Sequence, residues 1–504
     1  MSALADAIGQ HVIVDFSGPE ITPGLERLVR EGRIGGVILF DKNVRSPDQV
    51  RALTADLQSL AASAGLPSLL VTVDQEGGAV NRLRNGVTVF PSPMAVAATG
   101  RAEDADAAGR ITARELRAVG ITVNHAPVLD VNSAPANPVI GARAFGDDPE
   151  QVALLGTAYA TAASGEGVLL TPKHFPGHGA TADDSHLGLP VIRKDRAALE
   201  REDLLPFVRV LRAGAPAVMV GHLMVPALDP DFPASLSGAV IRGVLRGELG
   251  WDGLVVTDSL AMKALARWSR GEAAVAAVRA GVDLLLACGS EPEQWETLRA
   301  LRQAAADGYL DPQVLRMRAR RIRAVKDQIP ARADAAPVGL PAHREVAQAI
   351  ADRAVTLVRC ARGLLPISSG RVAVVGLAPH LTSAASSLVD ALRAVGLRAE
   401  LHPAAALEAV SGVVVAVTSG RGIPPAAEVA GLADRAGERL VVVGVGAPYE
   451  LAAFPRVSTY LAAYGPDPAS LTAAARVLAG QVRPTGCLPV AIPGLYPRGH
   501  RADL

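Results

Sequence analysis

The chain has 504 residues, 49% of them hydrophobic, so it can bury the cores of two or three domains. Fifty basic residues balance fifty acidic ones, and this neutrality excludes net charge as a basis for binding nucleic acid or a membrane surface. The N-terminal segment MSALADAIGQHVIVDFSG lacks a basic region followed by an apolar signal core, and no run of eighteen apolar residues occurs. We expect a cytoplasmic enzyme, monomeric or weakly homo-oligomeric.

Eight short apolar runs alternate with segments of helical character through the first 330 residues. They lie near His11–Asp15, Val37–Phe40, Leu69–Asp74, Thr122–Asp130, Gly167–His174, Ala217–His222, Leu254–Asp258 and Val282–Cys288. Such alternation is typical of a parallel sheet, and eight units predict a (β/α)8 TIM-type barrel over residues 1–327. Polar residues follow the runs where barrel enzymes place catalytic groups. These residues are Asp74, His125, Lys173, His174, His222 and Asp258.

A second, smaller domain follows the barrel. The segment 328–342, QIPARADAAPVGLPA, is rich in proline and alanine and is predicted to be a linker. Residues 343–504 are predicted to form an α/β sandwich domain, which begins with an amphipathic helix over His343–Val358. Its predicted strands are Arg371–Gly376, Gly412–Thr418, Leu440–Val445 and Ser458–Tyr464. The motif GVGAP at 444–448 lacks the third glycine of a dinucleotide loop, which argues against nucleotide binding.

The stretch KHFPGHGATADDSH, residues 173–186, is the strongest indication of chemistry. Proline and glycine prevent it from being one face of a helix, and it follows a predicted strand. His186 and Asp184 suit a proton-transfer pair, because imidazole titrates near neutral pH and a carboxylate can orient the ring. The alternative interpretation is two polar residues on a solvated loop.

Four further residues suit the attack on a reacting carbon or the binding of sugar hydroxyls. Asp258 ends an apolar strand and could be a nucleophile or charge stabiliser, although an aspartate that caps the next helix explains the position equally well. Asp74 could accept two hydroxyls, and Arg82 and Arg143 could hold a hydroxyl or carboxylate. The alternative for Arg82 is a surface arginine beside a Gly-Gly turn.

Metal binding is the competing interpretation of the histidine-rich loop. His174, His178 and His186, with Asp183 and Asp184, could supply zinc ligands. Pro176 and Gly177 separate the first two histidines, so a shared helical face is excluded and no metal or cofactor is expected. The three cysteines are far apart and suggest neither a disulfide framework nor a metal knuckle.

Several motifs together resemble glycoside hydrolase family 3, in its β-N-acetylglucosaminidase branch and in the two-domain form of Gram-positive bacteria. They are VDQEGGAVNRL, APVLDVN, NPVIGARAFG, KHFPGHGATADDSH, PASLS and TDSLAMKAL, in this order along the chain. The resemblance implies that Asp258 is the nucleophile and that His186, oriented by Asp184, is the acid/base. It also implies that the first sugar subsite is formed by Asp74, Arg82, Arg143, Lys173 and His174. Ala79 and Ala180 depart from the residues common in the family.

The activity implied is that of a retaining exo-β-N-acetylglucosaminidase. It would release N-acetylglucosamine from small conjugates, peptidoglycan (muropeptide) fragments above all, through a covalent glycosyl-enzyme. The protein is then expected to bind a small carbohydrate and to need no cofactor, nucleic acid or membrane. Three alternatives remain at this point: a phosphorylase that uses phosphate as acceptor, a metal-dependent hydrolase, and a sugar-binding module without turnover.

Overall fold

The computed structural model describes residues 3–329, 336–368, 370–403, 412–419 and 426–504. Its first part is a barrel of eight parallel strands, numbered here with the short hairpin β4–β5 that follows β3. The strands are β1 (Val12–Val14), β2 (Gly36–Leu39), β3 (Leu70–Val73), β4 (Gln75–Gly77), β5 (Val80–Asn81), β6 (Val123–Asn124), β7 (Leu169–Leu170), β8 (Ala217–Val220), β9 (Leu254–Ser259) and β10 (Leu284–Leu286). The predicted barrel is confirmed.

The strands of the barrel neighbour one another in sequence order. The sheet runs β7, β6, β3, β2, β1, β10, β9, β8, and all its pairings are parallel. A bridge between Phe175 and Val220 joins the extension of β7 to β8. The barrel is therefore nearly closed, and the carboxyl ends of its strands meet at one rim.

Helices cover the outside of the barrel. They are α1 (Ala3–Gly9), α2 (Pro23–Arg27), α3 (Pro47–Ser63), α4 (Pro93–Ala98), α5 (Ala102–Ala118), α6 (Pro149–Gly165), α7 (Arg196–Ala198), α8 (Leu204–Arg212), α9 (Arg270–Ala280), α10 (Glu291–Ala306) and α11 (Pro312–Gln328), with further helical segments at Leu199–Asp203 and Ala239–Glu248. Several begin with a side-chain cap followed by proline, as at Ser46 with Pro47 and Asp148 with Pro149. No helix of the described residues is both long enough and apolar enough to cross a bilayer.

Alternate residues of the barrel strands face two different cores. Ile13 and Leu70 lie in the interior cluster with Val256, whereas Val12 and Val71 pack outward in the cluster that includes the helices. Because both faces are buried, these strands are near-continuous apolar runs rather than alternating ones. This is why the sequence pattern located them.

The second domain is a six-stranded sheet with helices on both faces. Its strands are β11 (Thr356–Arg359), β12 (Arg371–Gly376), β13 (Arg398–Leu401), β14 (Val413–Thr418), β15 (Leu440–Gly444) and β16 (Tyr460–Ala462). Its helices are α12 (Pro341–Ala354), α13 (Thr382–Ala394), α14 (Ala426–Ala436) and α15 (Pro468–Leu478). The sheet order is β11, β16, β15, β14, β12, β13, and only β11 runs antiparallel to its neighbour. The predicted α/β sandwich is confirmed.

One predicted helix of this domain is too long. The helix expected over His343–Val358 ends at Ala354, and Thr356–Arg359 forms β11 instead. The run Val355–Val358 is rich in β-branched residues, and pairing with β16 buries it. Helix α11 ends at Gln328 and α12 begins at Pro341, but residues 330–335 of the predicted linker lie outside the described residues, so its bounds stay a prediction.

The two domains share a packed interface. Met94, Ala95 and Ala98 of the barrel's helix α4 lie in the same buried cluster as one face of the second sheet. Ion pairs join α5 to α12, at 2.5 Å between Asp104 and Arg353 and at 2.7 Å between Glu115 and His343. The interface therefore combines apolar packing with buried polar contacts.

Candidate active site

The polar residues predicted at the strand ends converge on one pocket. Asp74 follows β3, Lys173 and His174 follow β7, and Asp258 lies near the end of β9. The pocket measures about 740 Å³ and is also lined by Arg82, Arg143 and His186. Seven of the eight predicted site residues thus line one cavity, and the eighth, Asp184, contacts His186 at its edge.

Lys173 is the centre of a buried network of charges. Its ammonium contacts Oδ1 of Asp74 and Oε1 of Glu76, each at 2.6 Å. Glu76 in turn accepts two hydrogen bonds of 2.8 Å from the guanidinium of Arg143. Two cations therefore hold two carboxylates in fixed positions on the pocket wall.

The network keeps both carboxylates ionised in spite of their burial. Burial alone would raise the pKa of Asp74, but Lys173, His125 and Arg82 together outweigh this effect and hold the pKa well below its usual range. Burial likewise opposes ionisation of Glu76, yet Arg143 and Lys173 lower its pKa to about 2. The pocket thus presents carboxylates that accept hydrogen bonds from hydroxyl groups.

Arg82 approaches the same carboxylate from a second side. Its Nη2 lies 3.5 Å from Oδ2 of Asp74, and its guanidinium stacks on the ring of Phe40. Its buried Nε has no hydrogen-bond partner among the described residues. Arg82 itself lines the pocket, where its guanidinium could donate to a sugar oxygen.

Asp130 holds the histidine that follows Lys173. It is fully buried, and its Oδ2 lies 2.7 Å from Nδ1 of His174. Its other oxygen accepts the backbone N–H groups of His174 and His178. Because Asp130 fixes the ring through Nδ1, Nε2 of His174 is left for the pocket.

Asp258 is ionised at the end of β9. Burial would raise its pKa, but His174 and His222 and the backbone N–H of Ser259 together lower it. That N–H donates to Oδ1 at 2.7 Å, which fixes the carboxylate on the pocket floor. His222 is itself held by Ser235 at 2.7 Å, a residue of the PASLS motif. An ionised, positioned carboxylate is what a nucleophile requires.

The pair Asp184 and His186 lies at the mouth of the pocket. Oδ1 of Asp184 is 2.8 Å from Nδ1 of His186 and also accepts its backbone N–H. The imidazole is 63% exposed, so it can exchange protons with solvent. Between the two, Ser185 is buried and lies 2.9 Å from Nε2 of His178. This contact fixes the loop on its buried side, whereas the neighbouring imidazole of His186 is exposed.

Comparison with known proteins places this site in a family. The family model described as Glycosyl hydrolase family 3 N terminal domain matches residues 3–325. The chain belongs to glycoside hydrolase family 3. It is 32% identical to Beta-hexosaminidase A from Pseudoalteromonas piscicida over 94% of this chain and 91% of that protein. It is 41% identical to a Beta-hexosaminidase from Alkalilimnicola ehrlichii over 56% of this chain and 81% of that one.

A solved structure agrees with this assignment over both domains. A glycoside hydrolase family 3 beta-N-acetylglucosaminidase from Paenibacillus sp. str. FPU-7 superposes with a TM-score of 0.92 and 36% identity, and the match covers 98% of this chain and 99% of that one. The chain is therefore a glycoside hydrolase, and its two-domain architecture is that of this neighbour.

The family 3 site has contributors that the sequence reasoning did not assign. The sequence patterns assign no role to Glu76, Asp130 or Ser185. Each occurs inside a motif, VDQEGG, APVLDVN or DSH, so motif membership was the available signal. Arg143 lies 67 residues from Glu76 and His174 lies 44 residues from Asp130, so only the fold brings these two pairs together.

The histidines of this hydrolase engage in hydrogen bonds rather than in a shared ligand set. His178 is bound by Thr181 and Ser185, and burial lowers its pKa to about 4. His174 is bound by Asp130. Within the ranges that the structure describes, no three His, Cys, Asp or Glu side chains are grouped to hold a metal ion.

Proposed function

We propose that this family 3 hydrolase is a retaining exo-β-N-acetylglucosaminidase. The observation that carries the proposal is that Asp258 and His186 line the same pocket and that Asp184 contacts His186 at its edge. One group can then attack the anomeric carbon while the other serves the leaving oxygen. The names of the relatives support N-acetylhexosamine as the sugar.

In the first step, an Asp258 oxygen bonds to the anomeric carbon as the bond to the leaving oxygen breaks. His186 gives that oxygen a proton, and Asp184 stabilises the charged imidazole. In the second step, neutral His186 takes a proton from water, whose oxygen displaces Asp258 from the anomeric carbon. Proton transfer of this kind contributes about 10²- to 10⁴-fold in rate. Imidazole suits this role because its ordinary pKa lies near neutral pH, so no carboxyl pKa must be raised.

The buried network serves the sugar in the first subsite. Asp74 and Glu76 accept hydrogen bonds from hydroxyls, while Arg82 and Lys173 donate to oxygens. Because the cations and carboxylates fix one another, the network is organised before the substrate binds. We extend the proposal to small N-acetylglucosamine conjugates, with muropeptide fragments of peptidoglycan as the preferred class, as the sequence resemblance implies.

The test is turnover of p-nitrophenyl N-acetyl-β-glucosaminide by the wild type and two variants. We expect the wild type to cleave it and Asp258→Ala to be inactive. His186→Ala should release one equivalent of nitrophenol rapidly and then turn over slowly, because nitrophenolate needs no acid but the glycosyl-enzyme needs a base. A wild type without activity, or a His186→Ala variant equal to it, contradicts the mechanism.

The loop offers a matched pair of variants for the orienting carboxylate. Asp184→Asn should lower kcat and shift the basic limb of the pH profile, because Asp184 contacts His186. Asp183→Asn removes the neighbouring exposed carboxylate and should behave like the wild type. Equal effects of the two substitutions would contradict a specific role of Asp184 in orienting His186. They would indicate that only the negative charge of the loop matters.

Phosphate is the alternative acceptor in the second step, since a neutral imidazole repels an anion less than a carboxylate base does. The same assay with inorganic phosphate distinguishes the two acceptors. Free N-acetylglucosamine as the product indicates hydrolysis, and N-acetylglucosamine 1-phosphate indicates phosphorolysis. Undiminished activity after treatment with a chelator would exclude the metal-dependent alternative.

A further inference from the structure

A second cavity lies between the barrel and the C-terminal domain. It measures about 310 Å³, within the range of small-molecule sites. The barrel lines it with the segment 135–143, and the second domain lines it at the carboxyl ends of β14 and β15. Residues from the second domain include Ser383 and Ser387 of α13, Ser419, and Gly446 of the GVGAP motif. Ligands of open α/β sheets bind at this edge of the strands.

The interdomain cavity adjoins the active-site pocket. Four residues line both, namely Ala79, Arg84, Val139 and Arg143. Pro138, Val139 and Arg143 also line the opening beside Asp184 and His186. In the proposed mechanism the leaving group lies on the side of His186, and the segment 138–143 lines both that opening and the interdomain cavity.

The walls of the cavity are fixed to both domains and to the loop of residues 173–186, called here the catalytic loop. Asn137 donates to the backbone oxygen of His178, inside the catalytic loop. The hydroxyl of Tyr449, in the second domain, donates to the backbone oxygen of Asn132 in the barrel at 3.1 Å. Ser92 of the barrel donates to the backbone oxygen of Tyr464 at 2.9 Å. Hydrogen bonds between the two domains therefore fix the walls of the cavity.

The chemistry of the lining favours an anion. Among the described residues, no aspartate or glutamate lines the cavity, whereas Arg84, Arg143 and His380 do. Glu76 neutralises Arg143. The ion pair of Arg84 with Asp41 is long, at 3.9 Å, and its side chain is half exposed, so its guanidinium can engage a ligand. The hydroxyls of Ser383, Ser387 and Ser419 add hydrogen-bond donors.

We propose that the interdomain cavity is an aglycone subsite that binds a carboxylate carried by the leaving group. The second domain then selects among N-acetylglucosamine conjugates, while the barrel performs the chemistry. This inference rests on the proposed glycosidase function. Carboxylate-bearing aglycones should be preferred over neutral ones of the same size, and the preference should weaken at high salt because the site is solvent-accessible.

The test compares two β-linked N-acetylglucosaminyl conjugates that differ only in a carboxylate and its carboxamide. The readout is the ratio of kcat/KM for the acid to kcat/KM for the amide. We expect a ratio of about 10 or more in the wild type, as for one charge-assisted hydrogen bond. Arg84→Gln should bring the ratio close to 1.

Helix α13 offers two matched positions for substitution. Comparing them distinguishes the effect of filling the cavity from a general effect on the fold. Ser387 and Ser386 are adjacent and both exposed, but only Ser387 lines the cavity. Ser387→Phe should lower kcat/KM for the acid at least about tenfold, and Ser386→Phe should keep the wild-type ratio. A wild-type ratio near 1, or equal ratios for the two phenylalanine variants, overturns the subsite.

The two proposals fail in different ways. If the wild type cleaves the p-nitrophenyl glycoside but shows no preference for the acid, the subsite is wrong and the glycosidase function stands. If the wild type cleaves neither the p-nitrophenyl glycoside nor the conjugates, both the proposed function and the subsite are wrong.

Discussion

Lys173→Met tests whether one buried ammonium serves both stability and substrate binding. The side chain is only 3% exposed and contacts two carboxylates at 2.6 Å. Removal of one partner from a buried ionic cluster costs about 3–5 kcal/mol, and we expect the lower value because Arg82 and Arg143 remain beside the carboxylates. A charged hydrogen bond to the sugar is worth about 1.5–3 kcal/mol, so kcat/KM should also fall by about 10- to 100-fold.

The matched control lies at the opposite end of the barrel. Arg246 contacts the fully buried carboxylate of Asp283 at 3.0 Å, just before β10 begins. Arg246→Met should lower the free energy of unfolding in urea and leave kcat/KM within about twofold, since this end of a barrel serves stability. A Lys173→Met variant that is destabilised but keeps the wild-type kcat/KM would refute the role in binding.

Three further predictions concern the catalytic loop and the buried network. Ser185→Ala removes the hydroxyl 2.9 Å from His178 and should lower kcat about tenfold with a loss of about 1–2 kcal/mol in stability, measured by steady-state kinetics and urea titration. Gly179→Ala should yield little folded protein, because its Cβ would lie 1.9 Å from the backbone oxygen of Val131; a soluble, active variant would contradict this close approach. Glu76 has a folded pKa of about 2 against 4.5 when unfolded, so it contributes about 3 kcal/mol above pH 4.5 that is lost as the pH falls towards 2. Glu76→Gln should flatten that part of the curve of unfolding free energy against pH.

The barrel could be predicted because its strands are buried on both faces and therefore stand out as apolar runs. The strand ends then placed Asp74, Lys173 and Asp258 at one rim, which the structure confirms. Strand β13 was missed because it is an edge strand in which only Ala399 is buried. The sequence predicts helix at the start of β11, because the stability of this strand comes from pairing with β16, about a hundred residues away.

The contacts within the site could be predicted less well than its members. The sequence predicts that Arg143 holds a hydroxyl or a carboxylate, and the structure shows two of its nitrogens on the carboxylate of Glu76. Its role towards substrate stays a prediction. The partnership of Asp130 with His174 spans 44 residues, and no local pattern encodes it. Pairings of this kind depend on the closure of the barrel and not on spacing.

Helix α4 has a consequence for any attempt to express the catalytic domain alone. Met94, Ala95 and Ala98 lie in the core of the neighbouring domain, so a chain cut near residue 330 would leave them in water. Glu115 would also lose its contact with His343, which is 2.7 Å long in the full chain. The excised barrel of this protein should therefore self-associate or aggregate unless this face is redesigned with polar residues. The two domains should therefore be expressed together.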